Sequence, residues 1–406
     1  MNHRPPLEVA DVFRQYGEQY LERFGASPQQ RRVIRDIQAC RTAALGGHVE
    51  QCDRCGHQAI SYNSCRNRHC PKCQGPARAR WLEARAGELL PVPYFHVVFT
   101  LPGVLAPLAL QNPAAVYDLL FQSVAGTLLE VAANPKRLRA RIGFLTVLHT
   151  WGQNLLHHPH VHCVVPAGGL APEGTTWVSG RADFFLPVRV LSRVFRGKFI
   201  DLLKAAWGRG ELQFHGQLAP LAQPAAMERL LDQSVQNEWV VYAKPPFGGP
   251  AQVLKYLARY THRVAISNRR LLGLENGQVT FRWKDYAAGN KPSVMALDAV
   301  EFVRRFLMHV LPRSFVRIRY YGFMANRHRR ENLERCRHLL SQRQAPQTQT
   351  PPDTDPAPGQ SIHPMVAGGC PACHQGRMQI VGRLERQQLH GLPTVAQTPA
   401  GYSDTS

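Results

Sequence analysis

The chain has 406 residues, 44% of them hydrophobic, enough for one large domain or two to three small ones with a sizeable core. Lysine and arginine outnumber aspartate and glutamate by 49 to 28, a net charge of +21 spread along most of the chain. That excess points to a polyanionic partner, nucleic acid before all others, with an ordinary basic protein or a membrane-surface binder as the plainer readings. No uninterrupted apolar run of about 18 residues is present, and Met1-Asn2-His3-Arg4-Pro5-Pro6 lacks an apolar signal core, so the expectation is a cytoplasmic, nucleoid-associated protein with no membrane partner.

From Leu7 to Phe24 the apolar residues fall at helical spacing, and Gly25 stops the pattern. Ser27-Pro28-Gln29-Gln30 then reads as a helix start, with a cap, a proline in the first turn and a glutamine three residues after the cap. That helix runs to about Cys40. A cysteine-rich stretch follows, with Cys40, His48, Cys52-x-x-Cys55, Cys65, His69 and Cys70-x-x-Cys73. Two such knuckles with 14 residues between them suit one tetrahedral zinc held by Cys52, Cys55, Cys70 and Cys73. In a reducing compartment that spacing favours metal over disulfides. Cys40, His48, Cys65 and His69 are candidates for a second ion. Four protein ligands leave no open position, so zinc bound this way is structural. Arg54, Arg66, Arg68, Lys72, Arg78 and Arg80 form a basic rim suited to a nucleic-acid backbone, or simply a solvated surface. Gly75-Pro76 opens a third helix to about Leu90, and Pro91-Val92-Pro93 marks a boundary.

The central part alternates strands and helices. Strands are expected at Tyr94–Thr100, Arg141–Thr150, His160–Val165 and Glu238–Ala243, with further β structure at Thr175–Phe185. Helices are expected at Ala114–Ala133, Val188–Trp207 and Met227–Gln236. The strands at Arg141 and His160 follow one another closely enough to pair as antiparallel neighbours. On the second, His160 and His162 share a face while Val161 points into a core. Two imidazoles on one strand face make half of a divalent-metal site. The amide of Gln153, seven residues ahead of His160, could add a third ligand, and His157 or His158 could stand in for it. Three ligands leave positions open for a substrate oxygen.

The run Val253 to Arg263 has helix-forming composition and carries Tyr256 and Tyr260 one turn apart, flanked by Lys255, Arg259 and Arg263. Two core aromatics are the plain reading. In a basic chain with a histidine pair, a phenol oxygen attacking a phosphodiester is the sharper one. After it, strands are expected at Arg263–Ser267 and Val279–Trp283 around Asn276-Gly277, a helix at Asp298–Leu311, a strand at Phe315–Tyr321 and a basic helix at Arg327–Arg343. Gln344–Pro364 reads as a disordered linker. Cys370-x-x-Cys373-His374 is half a metal site, which His363, His390 or a partner would have to complete, and the last residues read as a tail.

Several phrases together resemble a known family. They are Ser64-Cys65-Arg66-Asn67-Arg68-His69-Cys70-Pro71-Lys72-Cys73, His158-Pro159-His160-Val161-His162, the run from Tyr256 to Asn268, and Trp283-Lys284-Asp285-Tyr286. Zinc module, histidine pair and tyrosine pair in this order resemble the two-tyrosine rolling-circle transposases of the IS91 type, which are HUH endonucleases. The resemblance covers about Arg31 to Leu340. It implies an α+β fold, a central antiparallel sheet with flanking helices, preceded by a small zinc-binding module. It implies DNA transposition through nicking and rejoining of single-stranded DNA at element ends. A 5′-phosphotyrosine on Tyr256 or Tyr260 would be the intermediate, with Mg2+ or Mn2+ on His160, His162 and Gln153, and structural Zn2+. Lys255, Arg259, Arg263, Lys284, Arg66 and Arg68 would contact DNA. The expected divisions are 1–90, a helical segment and zinc module; 91–286, the nuclease domain; 287–343, a basic helical extension; and 344–406, linker and tail. A plasmid replication initiator or relaxase shares this chemistry. A zinc-ribbon regulator and a metal-dependent hydrolase using water are the readings from other classes.

Overall fold

The first helix forms where the apolar spacing puts it. In α1 (Val9–Phe24) Val9, Val12, Phe13 and Tyr20 are buried, and Gly25 ends the helix at φ 65° with its N–H on the Leu21 carbonyl at 2.9 Å. Glycine takes that backbone conformation at no steric cost. The structure, a computed structural model, describes residues 7–181, 183–247, 252–253, 264–285, 289, 291–343 and 369–386. It falls into two units, Met1–Cys73 with Pro346–Ser406, and Gln74–Ala345.

In the first unit α2 (Pro28–Ala39) begins with the expected reciprocal cap. Ser27 Oγ accepts the Gln30 N–H at 3.3 Å, and Gln30 Oε1 accepts the Ser27 N–H at 3.0 Å. β1 (Gly47–Cys52) is the middle strand of a three-stranded antiparallel sheet. β2 (Gln58–Tyr62) lies on one side of it. The C-terminal strand Met378–Leu384 lies on the other, with Gly47 opposite Leu384 and Cys52 opposite Met378. This corrects the assignment of the residues after 344 to linker and tail: 369–386 are folded and cover an edge that β1 would otherwise expose. The strand is short and mostly exposed, and its partner is far upstream, so nothing local marks it. Lys72 also departs from the basic rim. Its Nζ pairs with Glu8 Oε2 at 2.8 Å, the side chains 8% and 5% exposed, and ties the Cys70–Cys73 knuckle to the start of α1.

In the second unit α3 (Gln74–Ala86) precedes β3 (Tyr94–Thr100). α4 (Ala106–Gln111) and α5 (Pro113–Ala133) lead to the adjacent strands β4 (Gly143–Trp151) and β5 (His157–Pro166). A small hairpin follows, β6 (Gly168–Leu170) and β7 (Trp177–Ser179), then α6 (Val188–Gly208), α7 (Pro224–Val235) and β8 (Val241–Phe247). β9 (Leu271–Glu275), β10 (Gln278–Asp285), β11 (Lys291–Asp298), α8 (Ala299–Leu307), β12 (Ile318–Gly322) and α9 (Arg329–Arg343) complete it. The main sheet has five antiparallel strands in the order β12-β4-β5-β3-β8.

Alternation along these strands sorts side chains onto two faces. Phe95, Val97, Phe99, Phe144, Leu148, Val161, Cys163 and Val165 join one core with Leu120, Phe121 and Val124 of α5 and Phe195, Phe199 and Leu203 of α6. α5 is long and apolar enough to cross a membrane, but most of it is buried in this core, as its apolar circumference requires. The opposite face carries Tyr94, Leu145, Val147 and Val164, in a cluster with Trp177, Phe323, Met324 and Leu333, Cys336 and Leu340 of α9. His96, His149, His160 and His162 share the parity of this second face.

The second sheet, β11-β10-β9, turns at Asn276-Gly277, both residues at positive φ (49° and 74°) as a tight hairpin turn demands. Asp298 caps α8, accepting the Val300 and Glu301 N–H groups at 3.0 and 3.1 Å. The strand expected at Arg263–Ser267 does not form over its described part, Val264–Ser267. A short turn at Asn268–Arg270 intervenes and β9 starts only at Leu271. Lys72→Met should leave Glu8 buried without its counter-charge and cost about 3–5 kcal/mol. Urea unfolding followed by circular dichroism measures this, and the Lys72→Met/Glu8→Gln double variant should recover most of the loss.

Candidate metal centres

The ten cysteines are all free of disulfides, and eight of them form two groups of four. One group is Cys40, Cys65, Cys70 and Cys73; the other is Cys52, Cys55, Cys370 and Cys373. The expected pairing of Cys52 and Cys55 with Cys70 and Cys73 is therefore wrong. Cys40 stands at the end of α2 and takes Cys65 and the second knuckle, its Sγ 3.5 Å from that of Cys73, which is also 3.5 Å from Cys65. The first knuckle, at the end of β1, is met by the C-terminal one instead: Cys52 to Cys373 is 3.7 Å and Cys55 to Cys370 is 3.5 Å. Thiolates about 2.3 Å from a tetrahedral zinc stand about 3.8 Å apart, so both groups fit that ion.

Backbone donors prepare these sulfurs. The Asn67 N–H points to Cys65 Sγ at 3.5 Å and the Arg54 N–H to Cys52 Sγ at 3.4 Å. The N–H groups of Gln375 and Gly376 pull the Cys373 thiol down to about 6. Donors aimed at sulfur favour the thiolate, which is the metal-binding form. His48 and His69 belong to neither group; His48 Nε2 lies 3.1 Å from Glu50 Oε1 instead. Of the two arginines expected to contact DNA from this module, Arg66 is exposed and Arg68 is half-buried.

The third group lies on the main sheet. Antiparallel pairing sets His149 of β4 directly opposite His160 of β5, and His162 follows on the same face. One ring nitrogen from each of His149, His160 and His162 lies within 4.8 Å of the others. The His149 and His162 rings are 4.4 Å apart, and those of His160 and His162 are 4.9 Å apart. His149 and His162 are 2% and 8% exposed, whereas His160 is more open, so the group is approached from the His160 end.

Neighbouring groups set which nitrogens face inward. His160 Nδ1 donates to the His158 carbonyl at 2.7 Å, so in the neutral ring the lone pair sits on Nε2. His162 Nδ1 is 2.8 Å from Nε2 of His96, with the rings stacked at 11°. Burial first, and then the charge of Lys244 and the neighbouring His160, push His96 down to about 3. A neutral His96 can accept from His162 Nδ1, turning His162 Nε2 towards His149 and His160. Such an outer partner fixes tautomer and ring orientation in metal-binding histidines. The donor set and its outer partners thus fit a divalent ion.

His149 and His96 were missed by the sequence reading, although the alternation Leu145, Val147, His149 carries the signal. Gln153 sits in the β4–β5 turn, where its carbonyl accepts from Arg270 Nη2 at 2.6 Å. The next two carbonyls of that turn are held as well, Asn154 by Arg305 Nη1 at 3.1 Å and Leu155 by His309 Nε2 at 3.0 Å. His157 Nε2 lies 2.7 Å from the Tyr117 hydroxyl, and His158 is exposed. Lys284 is exposed on β10. Tyr256, Tyr260, Lys255, Arg259 and Arg263 lie outside the described residues. Val253, three residues before Tyr256, is fully buried in the cluster that includes Tyr94, Leu145, Val147 and Val164, on the histidine face of the sheet.

Comparison with known proteins gives the family. Residues 143–332 match the family described as "Putative transposase", and residues 12–101 match the "Transposase zinc-binding domain". A protein of Sinorhizobium fredii named "Putative transposase y4qJ" is 56% identical over 378 residues, 91% of this chain and 94% of that one. The chain belongs to the IS91 family of transposases. The "Transposase for insertion sequence element IS801" of Pseudomonas savastanoi pv. phaseolicola is 29% identical over 325 residues, 79% of this chain and 77% of the other. No solved structure matches the chain. A transposase cuts and rejoins DNA, which accounts for the net charge of +21. The zinc-binding match spans all six cysteines of the N-terminal stretch and stops well short of Cys370 and Cys373.

In this transposase, His96→Phe should weaken Mn2+ binding to the histidine group about 10- to 100-fold, and His149→Ala should weaken it further, as read by calorimetric titration. A Gln153→Ala variant as impaired as His149→Ala would return the third-ligand position to the glutamine.

Proposed function

We propose that this transposase nicks and rejoins single-stranded DNA at element ends through a covalent phosphotyrosine, as in rolling-circle transposition. His149, His160 and His162 would hold Mg2+ or Mn2+, and Tyr256 and Tyr260 would be the nucleophiles. The observation that carries the reading is the convergence of three imidazoles on one sheet face, each of two of them with its outer nitrogen already engaged. Val253 adds to it, because the chain enters the tyrosine run from a buried position on that same face.

The chemistry needs each part. A phenol titrates near about 10 and is a weak nucleophile at neutral pH. The bound cation would polarise the scissile phosphate and offset the charge that develops on it. The tyrosine oxygen bonds to phosphorus as the bond from phosphorus to the 3′ oxygen breaks. The phenol proton leaves to solvent, and the departing oxygen becomes a free 3′-hydroxyl. The 5′-phosphotyrosine keeps the bond energy, so attack by another 3′-hydroxyl reverses the step and rejoins the strand. Lys255, Arg259 and Arg263 alternate with the tyrosines in sequence and add positive charge beside the phosphate. Two tyrosines let a second cut follow before the first covalent strand is released.

Incubation with Mn2+ and a labelled single-stranded oligonucleotide of element-end sequence should give an adduct that survives denaturing electrophoresis. The adduct should vanish in the Tyr256→Phe/Tyr260→Phe variant and in His160→Ala/His162→Ala. Cleavage that persists in the double phenylalanine variant would instead mark a hydrolase using water. Binding without cleavage under any divalent ion would mark a regulator.

A further inference from the structure

We infer that the chain carries a second structural zinc site, built from Cys52 and Cys55 of the N-terminal module and Cys370 and Cys373 of the C-terminal segment, which clasps that segment onto β1. The family's zinc-binding match covers only half of these ligands. The inference is independent of the phosphotyrosine reading.

Four thiols converge with sulfur–sulfur distances of 3.7 Å (Cys52 to Cys373) and 3.5 Å (Cys55 to Cys370), close to the edge of a zinc tetrathiolate. The two halves are the same device. In the first, the Arg54 N–H is directed at Cys52 Sγ (3.4 Å). In the second, the Cys373 N–H is directed at Cys370 Sγ (3.5 Å) and the Gly376 N–H at Cys373 Sγ (3.4 Å). Two knuckles with sulfurs held this way need one soft divalent cation between them, and binding releases the remaining thiol protons to solvent.

The backbone around the group is matched to the closure. Asp53 binds Arg377 twice, its N–H on the Arg377 carbonyl at 3.1 Å and its Oδ1 accepting the Arg377 N–H at 2.8 Å. Arg54 Nη1 donates to Gln375 Oε1 at 3.1 Å. From that latch the strand Met378–Leu384 continues along β1 in antiparallel register. Gly376 packs against the first knuckle: a Cβ there would collide with Cys52 Sγ and stand 2.8 Å from Asp53 Oδ1. No side chain larger than hydrogen fits that position with both knuckles in place.

The test uses the full-length protein and counts zinc by plasma mass spectrometry, with zinc-edge X-ray absorption to identify ligand atoms. Wild type should carry two zinc ions per chain, each with four sulfurs at about 2.3 Å. Cys370→Ser/Cys373→Ser should carry one. Gly376→Ala keeps every cysteine and should release its second zinc to a chromophoric chelator at least tenfold faster than wild type. One zinc in wild type, nitrogen ligands on the second zinc, or two tightly held ions in the serine variant would each overturn the proposal. Should the serine variant fail to accumulate, the wild-type count and the Gly376→Ala release rate decide.

Discussion

The chemistry of residues 74–345 depends on the register of β4 against β5. Because successive side chains of a strand face opposite ways, a slip of one residue would send His160 and His162 into the core beside Phe121 and Phe195 and bring Val161 and Cys163 out. The register is fixed from both sides. Val161, Cys163 and Val165 are buried against α5 and α6, so the other parity must face away from them. The turn between the strands is held at three consecutive carbonyls, Gln153, Asn154 and Leu155, by Arg270, Arg305 and His309. Leu155 itself sits at φ 63°, a strained position for a leucine that this set of bonds sustains. The pairing of His149 with His160 is thus secured by groups on the short turn before β9, the α8 helix and the segment after it, none of which supplies a ring nitrogen to the histidine group.

Burial does a second service. His96, His157 and His309 lie in or beside the sheet, and desolvation pushes them down to about 3, 4 and 3. Neutral imidazoles donate from one nitrogen and accept at the other, so each can bridge two neighbours in a defined order. His309 donates from Nε2 to Leu155 and accepts at Nδ1 from the Thr150 hydroxyl at 3.2 Å. His157 pairs with the Tyr117 hydroxyl, and His96 with His162.

The features written in local sequence were legible: the Ser27 cap, the Gly25 stop, the apolar helix expected at Ala114–Ala133, the shared face of His160 and His162, and the turn at Asn276-Gly277. Each rests on residues within a few positions of one another. What could not be read rests on pairing at a distance. His149 becomes a neighbour of His160 only once the β4–β5 register is known. Cys52 and Cys55 look made for the next knuckle along the chain, and only the folded sheet shows that Cys40 and Cys65 have already claimed it. Lys72 looked like a surface charge because its partner Glu8 lies at the far end of the N-terminal segment. The strand Met378–Leu384 lacks the apolar alternation of a buried strand, since one face of it meets water.

The two kinds of metal group differ in what their donors permit. Four thiolates satisfy a tetrahedral ion completely, so the cysteine groups can hold chain segments together but cannot accept a substrate oxygen. Three imidazoles leave coordination positions free and carry no charge of their own, so they would not neutralise a divalent ion held among them. His160 is more exposed than the buried His149 and His162, so the three-imidazole group is reached from the His160 end.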